Sequence, residues 1–410
     1  MRLYLPFFFA VIFFSSSCSK KNAPTPASNA NASAISISSI SPSSGPYNTV
    51  VTITGDNFST TPSDNVVMFN NVKAVVQSAS KGISLTVVVP LGAGTGPVTV
   101  STNLVAAASG PVFTYQLSPV VYAAGIDGLR PVYWQNGGEN YLSRSTPGSG
   151  QVRAMAITNS NDYFSSEMHF VGDFGNGAAY WMNGTLNNLP YKSTIAQGNS
   201  IAISGTDIYI GGMDYPGPAY WKNGIEYLLP GTTNNNVNVL AMAVSGPDIY
   251  AAAIDGLSGN SAVYWKNGTK YNLPLQTTNY GGGPRCIAIS GTDVYFGGYD
   301  WNTPVYWLNG IEYTLPQKNG GGVYGMVISG TDVYFCGNDG GNAVFWKNGV
   351  ENILPSANGA GATAYAITLS GTDVYLAGQD NNTAVYWDNK TEHFLSSNPA
   401  TASSIIVPNQ

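Results

Sequence analysis

An aromatic residue followed by tryptophan recurs seven times in this chain: Tyr133-Trp134, Tyr180-Trp181, Tyr220-Trp221, Tyr264-Trp265, Tyr306-Trp307, Phe345-Trp346 and Tyr386-Trp387. Successive tryptophans stand 39 to 47 residues apart. A period in that range marks one supersecondary unit stacked many times, each copy burying the apolar face of the next. The constraint is severe, because every copy must fold alike and meet its neighbours at the same positions.

Residues 286–316 show what one copy contains. A small-residue apolar run, Cys286-Ile287-Ala288-Ile289, leads into the polar turn Ser290-Gly291-Thr292-Asp293. Val294-Tyr295-Phe296 is β-branched and aromatic, as strands prefer. After a loop, Pro304-Val305-Tyr306-Trp307 is a third strand, and Asn309-Gly310 is the strongest short hairpin signal. Glu312-Tyr313-Thr314-Leu315 is a fourth strand, stopped by Pro316. The turn recurs at Ser204, Ser245, Ser329 and Ser370, and the hairpin at Asn183, Asn223, Asn267 and Asn348. Four short strands per period predict the blades of a β-propeller. Small residues crowd the first strand, which fits an innermost position where blades converge.

The ends of the array complete each other. The first copy begins at Val120-Val121-Tyr122, a second strand with no first strand before it. Ser404-Ile405-Ile406-Val407, near the other end of the array, reads as a first strand without the rest of its blade. Pairing 404–407 beside 120–122 closes a ring of seven blades and removes the open sheet edges that invite aggregation. The fold class is therefore all-β: a small immunoglobulin-like β-sandwich, then a seven-bladed β-propeller closed by its terminal strands.

Charged residues make up 9% of the chain and the net charge is −6, with no basic stripe, which argues against nucleic acid as a partner. Of three cysteines, Cys286 and Cys336 fall inside strands without metal-ligand spacing and read as buried thiols. Cys18 follows Met1-Arg2, an apolar run over 3–14, and Ser15-Ser16-Ser17. That run is a short export signal, too short to span a bilayer as a helix. The arrangement resembles a bacterial lipoprotein signal of the Bacteroidetes type, which implies lipidation at Cys18 and a signal peptide over 1–17. Ser15 departs from the aliphatic residue usual three before the cysteine. Residues 19–34 are Ser, Asn, Ala, Lys, Thr and Pro without periodicity, and 18–34 read as a flexible tether.

Residues 35–115 alternate apolar and polar positions between turn signals, with strands at 50–54, 85–89 and 98–100, as a small sandwich does. The stretches Ile40-Ser41-Pro42-Ser43-Ser44-Gly45-Pro46 and Val51-Thr52-Ile53-Thr54-Gly55-Asp56-Asn57-Phe58 resemble the immunoglobulin-like IPT/TIG family. Gly96-Pro97-Val98-Thr99-Val100 and Phe113-Thr114-Tyr115 match it as well. The resemblance implies a spacer or contact domain and transfers no catalytic residue. The propeller is assigned to 119–410.

Chemistry has few places to reside. Two histidines, His169 and His393, lie in strands and do not form a Ser-His-Asp arrangement or a zinc site. No metal or cofactor is expected. The repeated tryptophans read as packing between blades. An aspartate follows each second strand: Asp127, Asp173, Asp214, Asp255, Asp300, Asp339 and Asp380. Each either caps a loop by accepting backbone N–H bonds, or joins a ring of acceptors around one mouth. The second-to-third and fourth-to-next connections share that mouth and are expected to be longer than the tight turns opposite. Variable loops on a rigid scaffold are where binding sits. Trp301, Tyr215 and Tyr280 lie there, with Asn234, Asn235, Asn236, Asn302, Asn381 and Asn382. The expectation is a monomeric protein, anchored to the outer membrane through lipid alone, that binds a glycan or an envelope protein at this mouth. The alternatives are a propeller glycoside hydrolase or polysaccharide lyase working with two of the aspartates, and an adhesion or scaffold module.

Overall fold

The computed structural model describes residues 33–408, apart from 48, 91–92, 103–104, 117–118, 144–147, 159–166, 233–236, 257–260, 278–280 and 360. Cys18, the expected signal peptide, Tyr280 and Asn234 to Asn236 lie outside the described residues. The chain divides into two compact units, Met1–Ser118 and Pro119–Gln410. Apart from a 3-10 turn at Pro62–Asp64, every regular element among the described residues is a strand.

The first unit is two sheets. One holds Ser36–Ser41, Val50–Asp56, Ser84–Val88 and Val75–Ser80 in that order; the other holds Ser44–Gly45, Ala108–Tyr115, Gly96–Thr102, Asn65–Phe69 and Val72–Lys73. Buried and exposed positions alternate along Val50–Asp56, because successive strand side chains point to opposite faces. Val51, Ile53, Leu85 and Val87 from one sheet and Val67, Phe69, Val98, Val100 and Phe113 from the other form one fully buried cluster. Each such side chain contributes about 1.5–3 kcal/mol by leaving water. Phe69 and Phe113 meet edge to face at 5.1 Å.

The second unit is a propeller-like series of sheets. Its reference copy runs Gly282–Ser290, Asp293–Asp300, Thr303–Leu308, Ile311–Thr314, all antiparallel. The first strands of successive sheets touch: Gly150–Thr158 with Ala196–Ser204, then Val239–Ser245, Gly282–Ser290, Gly321–Ser329, Ala362–Ser370 and Thr391–Ile406, which in turn meets Gly150–Thr158. These strands are therefore the inner ones. The last strand, Thr391–Ile406, serves two sheets. Its start pairs with Thr383–Asp388, Trp387 facing Glu392. Its end pairs with Tyr122–Asp127, Tyr122 facing Ile406 and Asp127 facing Ala400. The pairing is longer than 404–407 against 120–122, and starts at Tyr122 rather than Val120.

One sequence expectation needs correcting. Most second-to-third connections are two-residue hairpins, such as Trp301-Asn302 between the paired Asp300 and Thr303. The longer connections on this face are those between sheets. The tryptophans do pack: all seven pair tryptophans are buried between sheets. The Trp307 indole N–H donates to the Pro274 carbonyl at 2.6 Å, and Trp346, Trp387, Trp221 and Trp265 donate to Pro316, Pro355, Pro190 and Pro230 in the same way. Each of these five indoles thus fills the space between two sheets and fastens the chain leaving the previous one.

Candidate ligand-binding centre

The aspartates end their second strands at two different register positions. Asp214, Asp300, Asp339 and Asp380 face Ala196, Gly282, Gly321 and Ala362. In the second copy that place is taken by Phe174, facing Gly150, while Asp173 faces Gln151. Asp173 is one residue out of step and points to the opposite face of its sheet. It does not belong to the ring of the other six.

Those six carboxylates are buried. Asp300 accepts the Thr277 N–H at 2.8 Å and the Thr277 hydroxyl. Asp214 accepts from Lys192 N–H (2.7 Å), Ser193 N–H (3.1 Å) and the Ser193 hydroxyl. Asp339 takes Lys318 N–H (2.8 Å) and Asn319 N–H (2.6 Å); Asp380 takes Asn358 N–H (2.9 Å) and the Ser356 hydroxyl (2.7 Å). Asp127 accepts from Ser396 at 2.7 Å. Each of these five caps the loop or strand entry of its own sheet. Burial alone would raise the Asp214 pKa, but these donors hold it below the usual carboxylate range.

A second carboxyl group stands beside five of the six. The fourth-strand residue facing the pair tryptophan is Glu139, Glu226, Glu312, Glu351 or Glu392. Burial first, with the neighbouring aspartate adding to it, raises the pKa of each; Glu312 reaches about 7 beside Asp300. One carboxyl oxygen each of Glu226, Glu312, Glu351 and Glu392 is buried without a donor. At Glu312 a proton on the carboxyl, donated to Asp300, resolves both facts. The two exceptions keep the logic. Lys270 replaces the glutamate and meets Asp255 at 2.5 Å, and Leu186 replaces it where Phe174 replaces the aspartate.

Every first strand carries a β-bulge at one place, near the mouth that the aspartates flank. Register slips by one residue at Arg153, Asn199, Leu240, Arg285, Tyr324, Tyr365 and Ser403. A bulge leaves its residue out of the ladder and re-aims the side chain. All seven keep some solvent exposure on the innermost strands, and Asn199, Leu240, Arg285 and Tyr324 do so between buried neighbours on both sides. Neighbours meet around the ring. The Arg285 guanidinium lies 5.4 Å from the Tyr299 ring centre and 5.8 Å from that of Tyr324, and Tyr324 meets Tyr365 edge to face at 5.5 Å. Asn199 donates to Asn238 and, at 2.8 Å, to the Val239 carbonyl; Asn238 donates to Gln197 at 2.8 Å. Arg153 is paired with Asp173 at 3.1 Å, which explains what the displaced aspartate does.

Sequence reasoning missed this ring, although a signal existed. In six of the seven sheets the bulge drives a first-strand carbonyl against the second strand, where only glycine fits. A Cβ on Gly172, Gly212, Gly298, Gly337, Gly378 or Gly125 would sit 1.8–2.0 Å from that oxygen.

Two loop residues named from the sequence stand at the same mouth. Tyr215 is 45% and Trp301 55% exposed. Both open a two-residue hairpin, and Trp301 has φ +58°, where the matching turns use Gly128, Gly175, Gly340 and Asn381. That conformation costs an ordinary L-residue roughly 1–2 kcal/mol. On the opposite face the turns hold themselves together: Asp207, Asp248 and Asp332 bind Lys222, Lys266 and Lys347 at 2.7–2.8 Å, and Asn223, Asn267 and Asn348 as well. A pocket there, beside Phe345 and Leu376, has about 130 Å³, below the roughly 300 Å³ of ordinary ligand pockets. His169 is buried with Nδ1 2.7 Å from the Tyr180 hydroxyl, and burial lowers its pKa. His393 stacks on Tyr386. Cys286 and Cys336 are buried free thiols. No group of three metal-ligating side chains occurs among the described residues.

The two-sheet first unit, with its core of alternating inward residues, agrees with what a family comparison finds. Residues 36–115 match the IPT/TIG domain. The TIG match covers the sandwich and none of the propeller-like sheets. No curated protein matches the sequence. Among solved structures, an auxiliary nutrient binding protein from Bacteroides ovatus aligns at 15% identity over 84% of this chain and 95% of its own, with a TM-score of 0.49. One of the same description from Bacteroides thetaiotaomicron aligns at 14% identity over 89% and 98%, TM-score 0.44. The RRP9 WD40 repeats align at 14% identity over 64% and 84%, TM-score 0.44.

Proposed function

We propose that this chain is a lipid-anchored envelope protein that binds a glycan at the centre of a closed, seven-bladed propeller. In this reading residues 1–17 are the export signal, Cys18 is lipidated and fixes the chain to the outer membrane, and 18–34 are the tether. The TIG domain is then a spacer that holds the propeller, 119–410, away from the membrane. The shared strand Thr391–Ile406 and the circular order of inner-strand contacts support a closed ring. Replacing Cys18 with Ser would then move the protein from the detergent phase to the aqueous phase; unchanged partitioning would contradict the anchor.

The single observation that carries the binding reading is the ring of bulge residues. Tyrosine faces, amide groups and a guanidinium converge on the inner strands at the mouth that also bears Trp301 and Tyr215. Aromatic faces take the apolar face of a sugar and amides take its hydroxyls, which is the pairing of surfaces a binding site needs. The ring aspartates enter this reading as supports of the mouth, since their oxygens are taken by loop N–H and hydroxyl groups or, at Asp255, by Lys270. For the same reason they are poor candidates for the paired acid and base of a hydrolase or lyase.

A glycan-binding screen on the mature chain, run beside a hydrolysis assay, tests the proposal. Binding that weakens in Tyr365→Ala while the melting temperature holds is the expected result. Binding indifferent to Tyr324→Ala and Tyr365→Ala would overturn it.

A further inference from the structure

Resting on that reading, we infer that the ligand is an acidic glycan, one carrying a uronate carboxylate, and that Arg285 receives it. The two cations of the bulge ring differ in kind. Arg153 is neutralised in place by Asp173 at 3.1 Å. Among the described residues no carboxylate pairs with Arg285. It is exposed although its neighbours Pro284 and Cys286 are buried.

Its surroundings leave one direction for chemistry. Tyr299 and Tyr324 lie 5.4 and 5.8 Å from the guanidinium carbon. Aromatic rings hold an arginine by its face and restrict its rotamers, while its in-plane N–H groups stay available. Those groups form a flat fork that fits two carboxylate oxygens at once. In a chain of net charge −6, a cation held beside aromatic rings at the inner strands gives an acidic sugar a local attraction at this mouth. Tyr365, edge-on to Tyr324 at 5.5 Å, extends the same aromatic wall for the sugar ring.

The test is calorimetric titration of the mature chain at low ionic strength. The probes are galacturonate, glucuronate and mannuronate oligosaccharides, with a neutral and a sulfated oligosaccharide as comparisons. At least one uronate series should bind tenfold or more tightly than its neutral counterpart. Arg285→Ala should erase that tenfold difference and Arg285→Lys should reduce it, since lysine keeps the charge but lacks the fork; both should weaken uronate binding more than neutral binding. Tyr365→Ala should weaken acidic and neutral binding alike. If Tyr365→Ala weakens binding but Arg285 variants do not discriminate, the acidic inference fails and the central site stands. If neither position matters, both fail. Absence of uronate binding, or preference for the sulfated probe, overturns the inference as stated.

Discussion

The carbonyl oxygen of Gly283 lies 2.0 Å from where a Cβ on Gly298 would sit. That approach is the price of the bulge at Arg285, one residue further along the strand from Pro284. The same contact recurs in five other sheets, and the sheet that lacks it has Ala253 instead, facing Val239 where its ladder begins. Gly298→Ala should therefore destabilise the propeller by at least about 1–3 kcal/mol, the usual cost of overpacking. Ala253→Gly should cost under about 1 kcal/mol, by added chain entropy alone. Chemical denaturation of both variants checks this; equal, small effects would mean the bulges are not fixed by the glycines.

Trp307 and Trp301 should respond in opposite ways. Trp307 is fully buried and donates its indole N–H to Pro274. Its truncation to Ala should cost about 3–5 kcal/mol. Trp301 occupies a left-handed turn position that Asn381 fills in another sheet. Trp301→Asn should leave stability unchanged or raise it by about 1 kcal/mol, the αL penalty relieved, while weakening any ligand at this mouth. Thermal melts and titrations on both variants measure the contrast.

Stability should fall as pH rises from about 5 to 8. Glu226, Glu312, Glu351 and Glu392 have pKa values raised in the folded state, Glu312 to about 7. A group with a raised folded pKa contributes stability that is complete below its unfolded value and is lost as pH climbs through the folded value. The charges facing them are Asp214 and Lys192, Asp300, Asp339 and Lys318, and Asp380. His169, lowered by burial, acts with the opposite sign, stability being lost as pH falls through its unfolded value near 6.5. The comparison that isolates the glutamates is the fourfold Glu→Gln variant, whose amides donate to the aspartates at every pH. Its melting temperature should lose the alkaline decline; a wild-type decline retained in full would contradict proton sharing.

Removing residues after Ser403 should lower the melting temperature by about 10 °C. It strips Ile405 and Val407, both buried, and leaves Tyr122–Asp127 partly unpaired. Burial of two such side chains is worth about 3–6 kcal/mol, and each kcal/mol moves a domain of this size by about 2–4 °C. An unchanged melt would mean that the terminal pairing contributes nothing.

The repeat was legible because its signals are local. Asn-Gly hairpins, Ser-Gly-Thr-Asp turns and the tryptophan spacing each survive without knowledge of the neighbours. The site was less legible for two physical reasons. Asp173-Phe174 and Met213-Asp214 end their strands one residue apart in register, a shift that flips a side chain across the sheet and leaves no mark in composition. The bulges add one residue to strands whose length varies anyway. Only Gly298 and its counterparts, glycines inside strands, pointed to a close backbone approach, and they passed for ordinary turn-rich composition. The Asp–Glu pairs required knowing which fourth-strand residue lies beside which second-strand end.

The central claim is that ligand sits on the inner strands among the bulge residues. The most direct measurement is a crystal structure of the mature chain with an oligosaccharide taken from the screen. The account predicts sugar density stacked on Tyr324 or Tyr365 and within hydrogen-bond reach of Arg285 or Asn199. Density confined to the opposite face, among Asp207, Asn223 and their counterparts, would contradict it.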